Sequence, residues 1–387
     1  METPANIFSH QTLSWAISRT GLSPADLDKK LKVKGGTVEK WKQGASAPSI
    51  PQAKRLAKAA FVPFPMLLLD TPPTDTIPLP DFRTVDGGHL EKASPNLRDT
   101  IDYVTECQDW YRDYVKDNIG ERNDFVGCLI GIDDPKKAAR LVSDRLSIDQ
   151  IRKNASSRSS FVTCLTRKIE ELGICVMRSG IVRLNTKRRL DPDEFRGFVL
   201  SDDYAPFIFI NSKDALAGQA FTLIHELVHI GKNDSGISGY SLHAEKEKFA
   251  NKVAGIVLIP DSVLPNDIEI SQESVDDLVE NADRLSKKLK ISSWAVLTRL
   301  RTQKRISEDQ YRTAVVEIKK RRLEKPRSNS AADFYLTRGA ALGRNFSRAL
   351  ISSVKSGSML YRDMWMLSGI KPKAIDKYAQ EIALAGV

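Results

Sequence analysis

Phe221-Thr-Leu-Ile-His-Glu-Leu-Val-His-Ile230 spaces two histidines, His225 and His229, four residues apart, with Glu226 beside the first. On an α-helix residues four apart share a face, so both imidazoles can reach one metal ion. Glu226 can then meet a water on that metal and take its proton. Phe221, Leu223, Ile224, Leu227, Val228 and Ile230 are apolar and no proline interrupts them, which suits a buried helix. Just upstream, Pro206-Phe-Ile-Phe-Ile-Asn211 reads as a short buried strand. A catalytic zinc takes three protein ligands and keeps one position for water, so a third ligand is required. The next helical run, 242–260, offers His243, Glu245 and Glu247, and the residues alone do not rank the three.

At 387 residues the chain has room for two or three domains. A hydrophobic content of 41% and a charged content of 28% are those of a soluble globular protein. No apolar run approaches membrane-span length and no secretory signal opens the chain, so the expected compartment is the cytoplasm, away from membranes. Cys107, Cys128, Cys164 and Cys175 never stand as Cys-x-x-Cys, which predicts reduced thiols, mostly in the core, with no zinc ribbon. The net charge of +10 is uneven: ten Lys/Arg against five Asp/Glu in 1–70, and fourteen against five in 318–387. The middle of the chain is therefore mildly acidic between basic ends, a layout that suits nucleic-acid contact by the ends.

Residues 1–70 read as short helices. Apolar spacing runs from Ile7 to Ser18, and a second helix spans Pro24 to Leu31 with Ser23 as N-cap and Pro24 first. A turn at Val33-Lys-Gly-Gly36 leads to Thr37-Val-Glu-Lys-Trp-Lys-Gln-Gly44, and a further helix follows from Pro51. Two short helices joined by a glycine turn make a helix-turn-helix outline. Thr37, Lys40, Lys42 and Gln43 are its candidate DNA contacts, with the lysines on phosphates and Gln43 or Thr37 on base edges. Residues 71–94 hold four prolines and read as a semi-rigid linker. A helix is predicted over 95–118, another after Asp134 with Pro135 first, and a third from Phe161 to Leu172. Short strands at 174–177, 197–200 and 206–210 precede the histidine helix. The polar, Gly-rich 231–241 reads as a loop over the site, from which Tyr240 can hydrogen-bond an oxyanion. Helices are predicted at 272–289, 292–301 and 307–322. The tail, 330–387, reads as a separate helical module with one helix from Phe334 to Val354 and a further helix–turn–helix outline. The expected class is α+β, mostly helical: a helix-turn-helix bundle over 1–70, a peptidase domain over 95–325 built on a small sheet and the metal helix, and the tail.

Glu247-Lys-Phe-Ala-Asn251-Lys-Val-Ala254, closing on Leu258-Ile-Pro260, together with the His-Glu-x-x-His motif resembles the ImmA/IrrE-type metallopeptidases, a zincin family. The resemblance implies Zn²⁺ held by His225, His229 and Glu247, with Glu226 as general base. Residues 1–70 resemble the XRE-type DNA-binding domain. Pro78-Leu-Pro-Asp-Phe-Arg-Thr84, Gly343-Arg-Asn-Phe-Ser-Arg348 and Tyr361-Arg-Asp363 resemble a long subgroup of fused regulator-peptidases. Two functions follow as expectations. One is an operator-binding regulator whose zinc endopeptidase cuts a specific partner repressor. The other is an antitoxin and autorepressor that neutralises a toxin by binding, with the zinc structural or sensory. Double-stranded DNA and one partner protein are the expected partners, and a homodimer is compatible with both.

Overall fold

The structure, a computed structural model, describes residues 7–73, 93–183, 185–237, 244–264, 274–323 and 334–384. The chain divides into two compact units, Met1–Pro78 with Gly88–Ile101 and Leu79–Gly87 with Asp102–Val387. Most of the expected linker lies outside the described residues, as does Tyr240. Among the described residues no helix is long and apolar enough to cross a membrane.

The first unit begins with α1 (His10–Arg19), α2 (Pro24–Leu31), α3 (Thr37–Lys42) and α4 (Ile50–Ala60), followed by a 3-10 turn at Phe64–Leu68. Leu13, Leu27, Leu31, Val38, Trp41 and Leu56 share one core. Ser23 accepts from the Asp26 amide and Pro24 opens α2, as the sequence predicts. The start of α3 is stitched by a residue the sequence reading passed over. Asp28, 3% exposed, accepts from Gly36 N at 2.7 Å and Val38 N at 2.9 Å. Gly36 adopts φ 82° there, a conformation that glycine enters without the Cβ penalty. Val38 and Trp41 are buried, whereas Lys40, Lys42 and Gln43 are exposed on α3 and Thr37 is half-buried.

The second unit takes up α5 (Pro95–Asn118) from Asp102 onward. It continues with α6 (Pro135–Leu146), α7 (Ile148–Asn154) and α8 (Arg158–Glu171). Strands β1 (Cys175–Ser179), β2 (Gly197–Leu200) and β3 (Phe207–Asn211) lead into α9 (Leu216–Gly231), the two-residue β4 (Gly236–Ile237) and α10 (Ala244–Leu258). Next come α11 (Val275–Leu289), α12 (Ser293–Thr302), α13 (Glu308–Leu323), α14 (Phe334–Leu342), α15 (Arg344–Lys355), α16 (Tyr361–Ser368) and α17 (Ile375–Leu384). The class is α+β and mostly helical, with one small sheet of order β1-β3-β2-β4. β1 runs parallel to β3, and β2 is antiparallel to both β3 and β4.

β2 and β3 are buried along their whole length, so they read as unbroken apolar runs rather than as alternation. Val176, Val199, Ile208 and Ile210 join a core shared with α8, α9 and α10. Phe207 instead meets Tyr111 of α5 at 5.8 Å and Phe346 of α15 at 6.0 Å. Opposite Ile210, Gly197 permits close approach of α9, because a Cβ there would stand 2.6 Å from Thr222 Cγ2. All four cysteines are free, with Cys107 and Cys175 buried. Burial pushes the Cys175 thiol well up, which makes it an inert core residue.

The tail is not one helix from Phe334 to Val354. It breaks at Gly343, where φ is 76° and a Cβ would lie 2.7 Å from the Val176 carbonyl oxygen of β1. The apolar spacing continues across this break, which is why periodicity alone reads one helix. Glu170, near the end of α8, accepts from the Arg344 amide with its side chain, and the Asn345 side chain donates to its backbone carbonyl at 2.7 Å. Tyr378 of α17 and Ser347 of α15 share a buried hydroxyl contact of 2.6 Å.

Burial drives the Glu170 carboxyl up to about 7, against the Arg344 and Asn345 hydrogen bonds and the charges of Arg344 and Arg348. A carboxyl whose folded pKa is raised favours folding while it is protonated. That stability is complete below the unfolded value of 4.5 and is lost as pH rises through about 7. The loss amounts to about 3 kcal/mol at about 1.4 kcal/mol per unit. Glu170→Gln keeps a neutral acceptor. Urea unfolding at pH 5 and pH 8 should therefore show the wild type losing stability that the variant retains. Equal losses in both proteins would show that Glu170 does not carry this pH dependence.

Candidate metal centre

α9 is buried on every side from Thr222 to Gly231, an environment in which polar side chains need partners. Its N-terminus is fixed by a residue the sequence reading missed. Gln219, 3% exposed, donates to Asp214 O at 2.8 Å and to Ser212 O at 3.3 Å. It also accepts from Arg178 of β1 at 2.9 Å, so the helix start is tied to the end of β3 and to a neighbouring strand. A glutamine in a helical run carries no signal of such burial. At the other end, Lys232 donates to Ile132 O at 2.9 Å and lies over the Phe249 ring of α10 at 4.6 Å. Lys246 of α10 pairs with Asp234 at 2.7 Å.

Within this frame His225 and His229 project from successive turns of α9, their Nε2 atoms 3.1 Å apart. Glu247, on the first turn of α10, reaches both, with Oε2 3.2 Å from His225 Nε2 and Oε1 3.3 Å from His229 Nε2. α10 is held against α9 by a buried face that includes Ala250, Val253, Ala254 and Val257. This contact brings Glu247 to the two histidines. Glu245 is exposed and takes no part in the cluster, and His243 lies outside the described residues. Glu226 is 1% exposed.

The donor set fits a divalent metal. Tetrahedral zinc with bonds of about 2.0–2.2 Å sets its ligand atoms about 3.3–3.6 Å apart, and these three, at 3.1, 3.2 and 3.3 Å, need to spread only slightly to meet it. Two imidazole nitrogens and one carboxylate also match the borderline-soft character of zinc. Burial alone would raise the Glu247 carboxyl, yet the hydrogen bonds and charges of His225 and His229 hold it down at about 2. Among the described residues this is the one group of three or more His, Cys, Asp or Glu side chains close enough to share an ion.

A small sheet backed by a helix bearing His-Glu-x-x-His, with a carboxylate delivered by the following helix, is a metallopeptidase-type arrangement. The comparison with known families agrees. Residues 169–301, from the end of α8 into α12, match a peptidase family model described as the IrrE N-terminal-like domain. Residues 342–381 match a domain of unknown function, DUF8813, which covers α15, α16 and most of α17. No curated protein and no solved structure matches the chain.

His229→Ala and Glu247→Ala should each lower zinc, measured by elemental analysis of the purified protein, from about one ion per chain to a small fraction of that. A chelator should lower the melting temperature of the wild type and leave both variants unmoved. Stoichiometric zinc in His229→Ala would place the metal elsewhere.

Proposed function

We propose that this chain is a zinc-dependent endopeptidase of narrow specificity whose N-terminal unit binds DNA. The observation that supports the peptidase reading best is the convergence of His225, His229 and Glu247 from two packed helices inside the matched peptidase segment. His225, His229 and Glu247 hold the ion. Zinc, when bound, supplies a Lewis acid that acidifies water and polarises the scissile carbonyl. Glu226 takes the proton of the attacking water and returns it to the leaving amine as the C–N bond breaks. The substrate is one partner regulator rather than proteins at large.

Glu226→Gln tests the reading, since it keeps the ligands and removes the base. Cleavage should fall by about 10²-fold to 10⁴-fold with zinc content unchanged. In a pull-down from host extract followed by intact-mass measurement, the partner should be whole with the variant and cut at one bond with the wild type. A partner equally intact with both would overturn proteolysis.

A separate observation favours a second reading, neutralisation of a partner protein by binding. Leu360, Tyr361, Trp365 and Met366 are all exposed at the start of and along α16, an apolar stretch of the kind that marks a contact surface. In that reading the zinc is structural or sensory, and Glu226→Gln neutralises as well as the wild type.

DNA binding by α3 rests on the exposure of Lys40, Lys42 and Gln43 over a buried Val38 and Trp41, and on the basic balance of 1–70. Gln43 is held by Glu39 at 2.8 Å, which leaves its carbonyl oxygen to accept from a base. Lys40→Ala and Lys42→Ala should each weaken duplex binding at all sequences and reduce the slope of log affinity against log salt by about one. Fluorescence anisotropy across a salt series checks this, and an unchanged slope in both variants would remove α3 from the interface.

A further inference from the structure

A cleft of about 480 Å³ opens where the start of α8 meets α11, α12 and α13. We infer that it binds a nucleotide, with the phosphates among Arg158, Lys287 and Lys290 and the ring against Trp294 and Ile318.

The cationic wall carries the first half of this assignment. Arg158 donates to Ser286 Oγ at 3.1 Å and Lys290 reaches Ser156 O at 3.5 Å, but neither they nor Lys287 pairs with a carboxylate among the described residues. Asp283, the one acid in the lining, accepts from the Ser293 hydroxyl and offsets one of the three positive charges, so the lining stays cationic. Three cations gathered around one concavity repel one another, and the ligand that relieves this best carries several negative charges close together. Two helices also start at the cleft, α8 after Ser157 and α12 after Ser292. Their capping hydroxyls take up the amides of Ser160 and Ala295, and the remaining first-turn amides add to the positive field.

The rest of the lining is of another kind. Trp294 is oriented by its indole N–H, which donates to Tyr311 Oη at 2.7 Å, and Ile318 of α13 completes an apolar surface. A flat aromatic face beside a phosphate cradle accepts a stacked base of any identity. The volume lies within the range of about 300–1,000 Å³ common to small-molecule sites. A lone phosphate would leave the apolar wall unused. α8, which begins at this cleft, packs against α9, so the bound ligand would touch the support of the histidine helix.

The test is calorimetric titration of the full chain with ADP, GDP, pyrophosphate and inorganic phosphate. ADP or GDP should bind saturably and about tenfold or more tighter than pyrophosphate. Lys287 is exposed, so Lys287→Glu should keep the wild-type melting temperature while weakening nucleotide binding by about tenfold or more. Trp294→Ala should weaken nucleotide binding and leave pyrophosphate binding as it was. Equal affinity for ADP, GDP and pyrophosphate overturns the nucleotide assignment, as does absence of binding. Unchanged affinity in both Lys287→Glu and Arg158→Gln overturns the location. None of these readouts depends on the peptidase reading.

Discussion

Two imidazoles and two carboxylates inside an apolar layer are the constraint that the second unit is built to meet. Polar and ionised groups are costly to take out of water without partners, and α9, which carries His225, Glu226 and His229, has no water-facing side there. Glu247 comes within hydrogen-bond distance of both His225 and His229. That requires α10 to lie against α9 in one register, which its buried Ala250, Val253, Ala254 and Val257 fix. It also requires α9 to lie close to the sheet, which the missing side chain at Gly197 allows. The polar centre and the apolar packing are thus parts of one solution.

The same layer depends on elements far away in sequence. β1 stands at the end of the sheet, and α14 and α15 cover it, with Gly343 against the Val176 carbonyl and Glu170 taking the Arg344 amide. Phe346 closes an aromatic group with Trp110, Tyr111 and Phe207 on the face of the sheet turned away from α9. The tail that reads as a separate module is in contact with the strand next to β3, and β3 leads directly into the metal helix. An uncovered β1 would offer unpaired backbone groups to other chains, and the tail removes that hazard.

Much of this was legible beforehand because it is local. The four-residue spacing of His225 and His229, Ser23 with Pro24 at the start of α2, and the unbroken apolar runs of β2 and β3 each follow from short-range sterics or from burial on both faces. What escaped were features whose partners lie far along the chain. Asp28 holding the start of α3, Gln219 bridging to Arg178, and the break at Gly343 look in sequence like an ordinary surface acid, an ordinary helix residue and a tolerated glycine.

The sequence by itself determined that a helix would present two imidazoles and a carboxylate together, that the class would be α+β and mostly helical, and that the ends would be basic. Helix periodicity, apolar run length and charge counting need no knowledge of neighbours. Only the tertiary structure supplied the physical reason why Glu247, the acid that the family resemblance implied, is the one that faces the two histidines. Glu245 and Glu247 are two residues apart on one helix, so they face different directions, and the packing of α10 on α9 turns Glu247 inward and leaves Glu245 in water. The cationic cleft has the same origin. Arg158, Lys287 and Lys290 are more than a hundred positions apart in part, and packing alone makes them neighbours.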